Sequence, residues 1–151
     1  MSEHNISLMR RWFDEVWNQG RLETIHELMA PDAIGIGQGG AEAAIHGPKE
    51  FQAFVERLRR AFPDIHVTVE DAFSSDDDDK VAVRWSATMT HQGSDLGIPA
   101  SGKIVHITGI SIVRLVDGRI VEGWDNWDQL GMMREIGAIQ ESSVALMAAS
   151  G

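Results

Sequence analysis

Cysteine is absent from the 151 residues. Disulfides, zinc thiolates and a thiol nucleophile are thereby excluded. No apolar run approaches the ~20 residues needed to span a bilayer. The opening Met1-Ser2-Glu3-His4-Asn5 is polar and holds no apolar signal core, so the expected location is cytoplasmic. Basic residues are scarce, 13 Lys and Arg against 23 Asp and Glu, for a net charge of −10. An acidic chain is a poor match for nucleic acid or an anionic membrane, both of which attract basic surfaces. It fits a protein that acts on a small molecule.

Several motifs are missing as well. No Gly-x-Ser-x-Gly elbow supports a serine nucleophile. His46, His66 and His91 are scattered without metal-ligand spacing, so no metal site is expected. The acidic run of residues 76–79 has adjacent aspartates, not the spaced ligands and glycine bend of a calcium loop; it reads as a solvated turn. The glycine-rich stretch from Gln38 to Glu42 does not follow a strand-to-helix phosphate motif and reads as a loop.

Apolar residues make up 43% and charged residues 24%, an ordinary globular balance. No repeat or linker divides the chain, which reads as one domain, residues 1–151, with a core over 6–137 and an Ala-rich tail over 138–151. Ile6, Met9, Phe13, Val16 and Trp17 recur at helical spacing, and Asn18-Gln19-Gly20 ends that helix. Leu22, Ile25, Leu28 and Met29 make a short second helix that Pro31-Asp32 stops. Ala33 to Gly37 reads as a short strand. Gly47-Pro48 opens a third helix with the stripe Phe51, Phe54, Val55, Leu58 and Phe62. Strand-like alternation then begins at Ile65. Strands are expected over Lys80 to His91, Ile104 to Val116 and Arg119 to Trp127, the last two joined by the turn Asp117-Gly118. Gln129 to Ile136 reads as a closing helix. Helices first and an antiparallel meander after make an α+β fold, in which helices cover one face of a curved sheet and enclose a pocket.

Strand parity groups the candidates. Val121, Gly123, Asp125 and Trp127 share one face of the last strand. Arg84, Ser86 and Thr88 share a face of theirs, as do His106, Thr108, Ile110 and Ile112. A carboxylate between Trp124 and Trp127 is costly to bury unpaired, and burial raises its pKa toward the range of a general acid or base. Asp125 is therefore either that group, an exposed strand-end residue, or a structural partner of an arginine. Arg84 either shares the cavity, steadying the carboxylate or an oxyanion, or faces outward. His106 is either a proton carrier in the pocket or a hydrogen-bonded structural histidine. Asp128 reads as the cap of the closing helix. Trp12, Phe13 and Trp17 read as core that can also touch a ligand. Trp124 and Trp85 are candidates for an outward apolar patch, which points to a homodimer through the sheet.

The run from Gly109 to Asp128, with Val81-Ala82-Val83-Arg84-Trp85, Trp17-Asn18-Gln19-Gly20 and Met29-Ala30-Pro31-Asp32-Ala33, resembles the SnoaL-like polyketide cyclase (ester cyclase) family. The resemblance spans Ile6 to about Gly137. It implies the cone-shaped nuclear-transport-factor-like (cystatin-like) fold and an intramolecular aldol closure of a small hydrophobic carbonyl compound, without metal or organic cofactor. It implies Asp125 as acid/base residue and His106 as its pocket histidine. Arg84, Ser86, Trp12, Trp17 and Trp127 complete the candidate set as substrate contacts. In the Asp–Arg–Asp arrangement of the superfamily's epoxide hydrolase, Ser86 stands where the second carboxylate is required, which argues against that reaction. The alternatives are a non-catalytic ligand-binding module and an isomerase-like or hydrolase-like member of the superfamily.

Overall fold

A computed structural model describes residues 2–39, 43–77 and 79–139. The tail from 140 onward, residues 40–42 of the glycine-rich loop and Asp78 of the acidic turn lie outside these residues.

Helix α1, Ser2–Trp12, buries Met9 and Trp12 and continues as a π-helical segment over Phe13–Asn18. The wider winding is visible where the Gln19 N–H reaches back five residues to the Asp14 carbonyl at 3.0 Å. Parity of apolar residues predicts one continuous helix here; the change of winding leaves no mark on that pattern. Asn18 ends the segment and docks it. Its side chain donates to the Val67 carbonyl at 2.9 Å and accepts from the Val67 N–H at 2.6 Å. It thus occupies backbone groups of an edge strand that would otherwise stay open. Helix α2, Glu23–Leu28, is tied to α1 by Arg11, which reaches Glu15 and Glu27, each at 2.7 Å.

Strand β1, Met29–Ile36, starts earlier than the sequence suggests and includes Pro31 and Asp32. Proline is tolerated because the pairing of β1 skips from Met29 to Ile34, so no ladder bond needs the missing N–H. Strand β2, Ala44–His46, is a short edge piece that the sequence reading did not foresee. Helix α3, Gly47–Ala61, has Pro48 in its first turn, and the Glu50 carboxylate accepts from the His46 N–H at 2.9 Å. Its buried stripe is Phe51, Val55, Leu58 and Ala61, four residues at helical spacing.

The remaining strands are β3, His66–Ser74, β4, Lys80–Thr90, β5, Ile104–Val116, and β6, Arg119–Trp127. β5 and β6 have the boundaries that the sequence predicts. Asp117 and Gly118, both with positive φ (50° and 76°), form the two-residue turn between them. Helix α4, Gln129–Glu135, is capped as expected: the Asp128 carboxylate accepts from the Gly131 N–H at 2.8 Å.

The six strands form one curved sheet in the order β2-β1-β6-β5-β4-β3. The run β3 to β6 is the antiparallel meander expected. β1 joins parallel to β6, so the sheet is mixed. Helices α1, α2 and α3 cover its concave face, and the apolar core lies between. The resulting α+β architecture is the curved sheet with enclosing helices that the sequence implies.

One irregularity matters for the site. Val116 pairs with Arg119 and Leu115 with Ile120, but Arg114 pairs with Glu122, leaving Val121 as an extra residue in β6. This bulge shifts the register by one beyond that point. Ile120, not Val121, therefore turns fully into the core.

Candidate active site

Because of the bulge, Asp125 lies directly opposite Ser111. Ser111 lies opposite Val83, and Gly109 opposite Trp85. Directly paired residues share a face. The odd-numbered residues of β4 and β5 from Val81 to Met89 and from Val105 to Val113 therefore turn toward the helices, together with Gly123, Asp125 and Trp127 of β6.

These residues line a cavity between sheet and helices. The cavity has a volume of about 100 Å³ and is partly open to solvent. Its walls are overwhelmingly apolar. Trp12 and Trp17 pack on Phe51 with ring centroids 5.3 and 6.3 Å apart, and Phe54 sits 6.1 Å from Trp17. Among the described residues, three with polar side chains besides the tryptophans reach this wall: Gln38, Ser111 and Asp125.

The three are joined. Ser111 Oγ donates to Asp125 Oδ1, and Gln38 Nε2 donates to Asp125 Oδ2. Trp85 Nε1 in turn donates to Ser111 Oγ at 3.1 Å. Trp85 can lie in this position because residue 109 is glycine; a β-carbon there would run into the indole ring. Gln38 is held from behind. Trp127 Nε1 donates to its backbone carbonyl at 3.0 Å, and Gln129 Nε2 donates to the carbonyl of Gly37 at 3.4 Å. Gly37, with φ of 99°, lies against the backbone of Asp125, where any side chain would collide with the Asp125 carbonyl.

Burial raises the Asp125 pKa above the ordinary 3.8, and the hydrogen bonds from Ser111 and Gln38 pull in the other direction without cancelling it. The residue keeps some accessible surface as a whole, yet its carboxyl is packed among protein atoms, and it is the carboxyl that titrates. A carboxylate with raised proton affinity in an apolar cavity is suited to take a proton from carbon and return it to oxygen.

Of the sequence-predicted set, Asp125, Trp12, Trp17 and Trp127 line this cavity. Arg84, Ser86 and His106 do not. Arg84 is exposed on the opposite face of the sheet. Ser86 Oγ donates there to Glu70 at 2.7 Å, and His106 Nδ1 contacts Thr88 Oγ1 at 3.2 Å. The His106 backbone N–H donates to Glu135 at 3.2 Å, also outside the cavity. The reason is parity: Arg84 pairs with Ile110, and Ile110 with Asn126, all even-numbered and all outward. Arg84 and Asp125 are therefore on opposite faces, and the Asp–Arg pairing considered for epoxide hydrolysis is not assembled. Trp85 is corrected in the reverse sense, being a cavity residue and not part of an outward patch. Sequence reasoning missed Ser111 and Gln38. Ser111 is reachable by counting back from the Asp117-Gly118 turn once the bulge is known. Gln38 arrives from the loop after β1 and has no periodic signal.

Among the described residues, no group of three or more His, Cys, Asp or Glu side chains is placed to hold a metal ion, and no helix is long and apolar enough to cross a membrane.

A model of the SnoaL-like polyketide cyclase family matches residues 7–136. An aklanonic acid methyl ester cyclase of Streptomyces sp. (strain C5), DauD, is 28% identical over 132 residues, covering 87% of this chain and 81% of its own. A second, DnrD of Streptomyces peucetius, is also 28% identical over 132 residues, covering 87% of this chain and 90% of its own. Among solved structures, a SnoaL-like protein from Jannaschia sp. CCS1 superposes with a TM-score of 0.82 at 29% identity, covering 92% of this chain and 95% of that one. IdmH of Streptomyces antibioticus superposes with a TM-score of 0.75 at 29% identity, covering 88% and 98%.

Proposed function

The chain belongs to the SnoaL-like polyketide cyclase family, and on that premise we propose that it is a cyclase that closes a ring in an uncharged polyketide ester, with Asp125 as its acid/base group. The carboxylate takes the acidic α-proton of the substrate. The C–H electron pair becomes the enolate, whose carbon adds to a ketone carbonyl of the same molecule. The resulting alkoxide takes the proton back from Asp125, so the reaction is an isomerisation with no net proton uptake. It draws on the substrate's own acidity, on positioning between the aromatic walls, and on one base.

The observation that carries this reading is that, among the described residues, one titratable side chain lines an apolar, aromatic cavity, fixed by two donors and raised in proton affinity by burial. Aklanonic acid methyl ester, the substrate named for the curated relatives, is the first compound to assay. Asp125→Asn is expected to lower turnover by about 10²–10⁴-fold, whereas Arg84→Ala and His106→Ala, on the far face, stay within about twofold of the parent. Equal turnover in Asp125→Asn would leave Asp125 a binding residue and the protein a ligand carrier.

The outer face of the sheet is also the surface we assign to a homodimer. Phe73, Ala82, Ile112 and Trp124 are successive cross-strand partners, and Phe73 and Ile112 are 60% and 41% exposed. Such an apolar row on a sheet face is a self-association surface. Light scattering at micromolar concentration should give twice the chain mass, and Ile112→Glu should halve it. A monomeric parent chain would refute the assignment.

A further inference from the structure

The donors around Asp125 are not equivalent. An indole N–H has no acceptor capacity. With Trp85 Nε1 donating to Ser111 Oγ, the serine hydroxyl proton is left to point at Asp125 Oδ1. While that hydroxyl proton stays on the line from Ser111 to Oδ1, a proton bound by Asp125 resides on Oδ2. Oδ2 faces Gln38 Nε2. Two donors cannot share that contact, so protonation of Oδ2 conflicts with the amide as it stands.

The other end of the same amide resolves the conflict. Gln38 is 5% exposed, and its Oε1 is buried without a hydrogen-bond partner. A buried orphan acceptor is costly unless another state of the molecule uses it. The two ends of a carboxamide have nearly the same shape. The space they turn in exists because residue 35 is glycine: a β-carbon there would lie 2.9 Å from Nε2 and 3.2 Å from Oε1. The backbone is meanwhile held by Trp127, so the turn is confined to the side chain.

We propose that Gln38 is a carboxamide switch set by the protonation of Asp125. Nε2 donates to the ionised carboxylate; after a half-turn Oε1 accepts from the protonated one, and Nε2 takes the buried place that Oε1 held. Its part in turnover rests on the cyclase reading. When the proton passes from substrate carbon to Oδ2, the turned amide holds the protonated carboxyl through Oε1 until the proton is returned. No covalent bond of Gln38 breaks; it exchanges a hydrogen bond that it donates for one that it accepts. Among the described residues that line the cavity, Asp125 is the sole charged or titratable side chain, so no other titration there drives the turn. Arg84, Arg114, Glu122 and His106 belong to the opposite face.

The test is a pH titration of the ligand-free full chain by NMR, following the Asp125 carboxyl carbon and the Gln38 side-chain amide. The amide resonances should move with the same midpoint as Asp125. Ser111→Ala removes a donor that binds the ionised form more strongly than the protonated one and should raise that midpoint by about 1 pH unit. Gln38→Leu removes a donor to one form and an acceptor for the other, so its shift should be less than half as large. An equal upward shift in both variants, with amide resonances that ignore the titration, would make Gln38 a fixed donor and overturn the switch. Gln38→Met is the second variant if the leucine chain fails to fold. In the cyclase assay either variant should lower kcat by about 10–100-fold with KM little changed. A titration as expected without turnover of any polyketide ester would keep the switch and sink the cyclase reading. Turnover lost in Asp125→Asn with the fixed-donor titration would do the reverse.

Discussion

On the outer face of the sheet the Ser86 hydroxyl donates to the carboxylate of Glu70; on the inner face the Ser111 hydroxyl donates to that of Asp125. The chemistry of the two pairs is the same and their surroundings differ. Glu70 is exposed, water competes for every bond it makes, and such contacts contribute little. Asp125 is closed in by Trp85, Trp127 and Gln38, where a hydrogen bond is stronger and a charge is harder to keep. Arg84, Thr88 and His106 extend the outer set into something that resembles an acid/base cluster by residue type. Position relative to the helices, and not residue type, separates the site from its imitation.

The comparison breaks most visibly at glycine. Gly109 and Gly123 both belong to the inner strands, but a β-carbon at 109 meets the Trp85 ring while one at 123 meets nothing within 4 Å. Gly109→Ala should cost about 1–3 kcal/mol through overpacking, and Gly123→Ala should change stability by less than about 0.5 kcal/mol. Thermal unfolding measures both. Equal melting temperatures would mean that the Trp85–Ser111–Asp125 chain is not held where it is described.

A smaller effect sharpens the contrast between the serines. Ser111 stabilises the ionised form of Asp125, so its removal raises the carboxyl's pKa further. In Ser111→Ala the acid limb of the pH–rate profile should move upward, with turnover on that limb about tenfold lower. Ser86→Ala should leave the profile in place. Profiles that coincide for all three chains would remove Ser111 from the site.

How far the sequence reveals these faces depends on one residue. Helix stripes, the Asp117-Gly118 turn, the bounds of β5 and β6 and the candidacy of Asp125 are all legible, because each follows from a local period or a turn signal. The partners of Asp125 are not. Counted back from the turn without a bulge, Asp125 faces Ile110, and His106 then shares its side of the sheet. With Val121 extra, Asp125 faces Ser111, and His106 points away. No composition signal marks Val121 as the extra residue. Arg84 fails for the same reason one strand further on. Gln38 is illegible in another way: it reaches the site through a loop whose path is set by Gly37 packing against the Asp125 backbone, a contact between residues far apart in sequence.

The smallest expected effect tests burial itself. Asp125 has a folded-state pKa above the ordinary aspartate value of 3.8. Below that value the carboxyl is protonated in both folded and unfolded chains and costs nothing. As pH rises, the unfolded chain ionises first, and folding loses stability until the folded carboxyl ionises too. Asp125→Asn removes the titration and keeps the shape. Its melting temperature should match the parent in acid and exceed it at neutral pH, by roughly 2–4 °C for each kcal/mol of burial cost relieved. The same comparison for Glu15 has the opposite sign. The Arg11 guanidinium and the Thr24 hydroxyl hold Glu15 below its usual value, so Glu15→Gln should lose stability at neutral pH and approach the parent in acid. Two carboxylates in one chain would then move the melting curve in opposite directions over neighbouring pH windows. A parent and an Asp125→Asn chain whose melting temperatures stay parallel from acid to neutral pH would show that Asp125 titrates as an exposed carboxylate, and the inner face would lose the property that distinguishes it from the outer one.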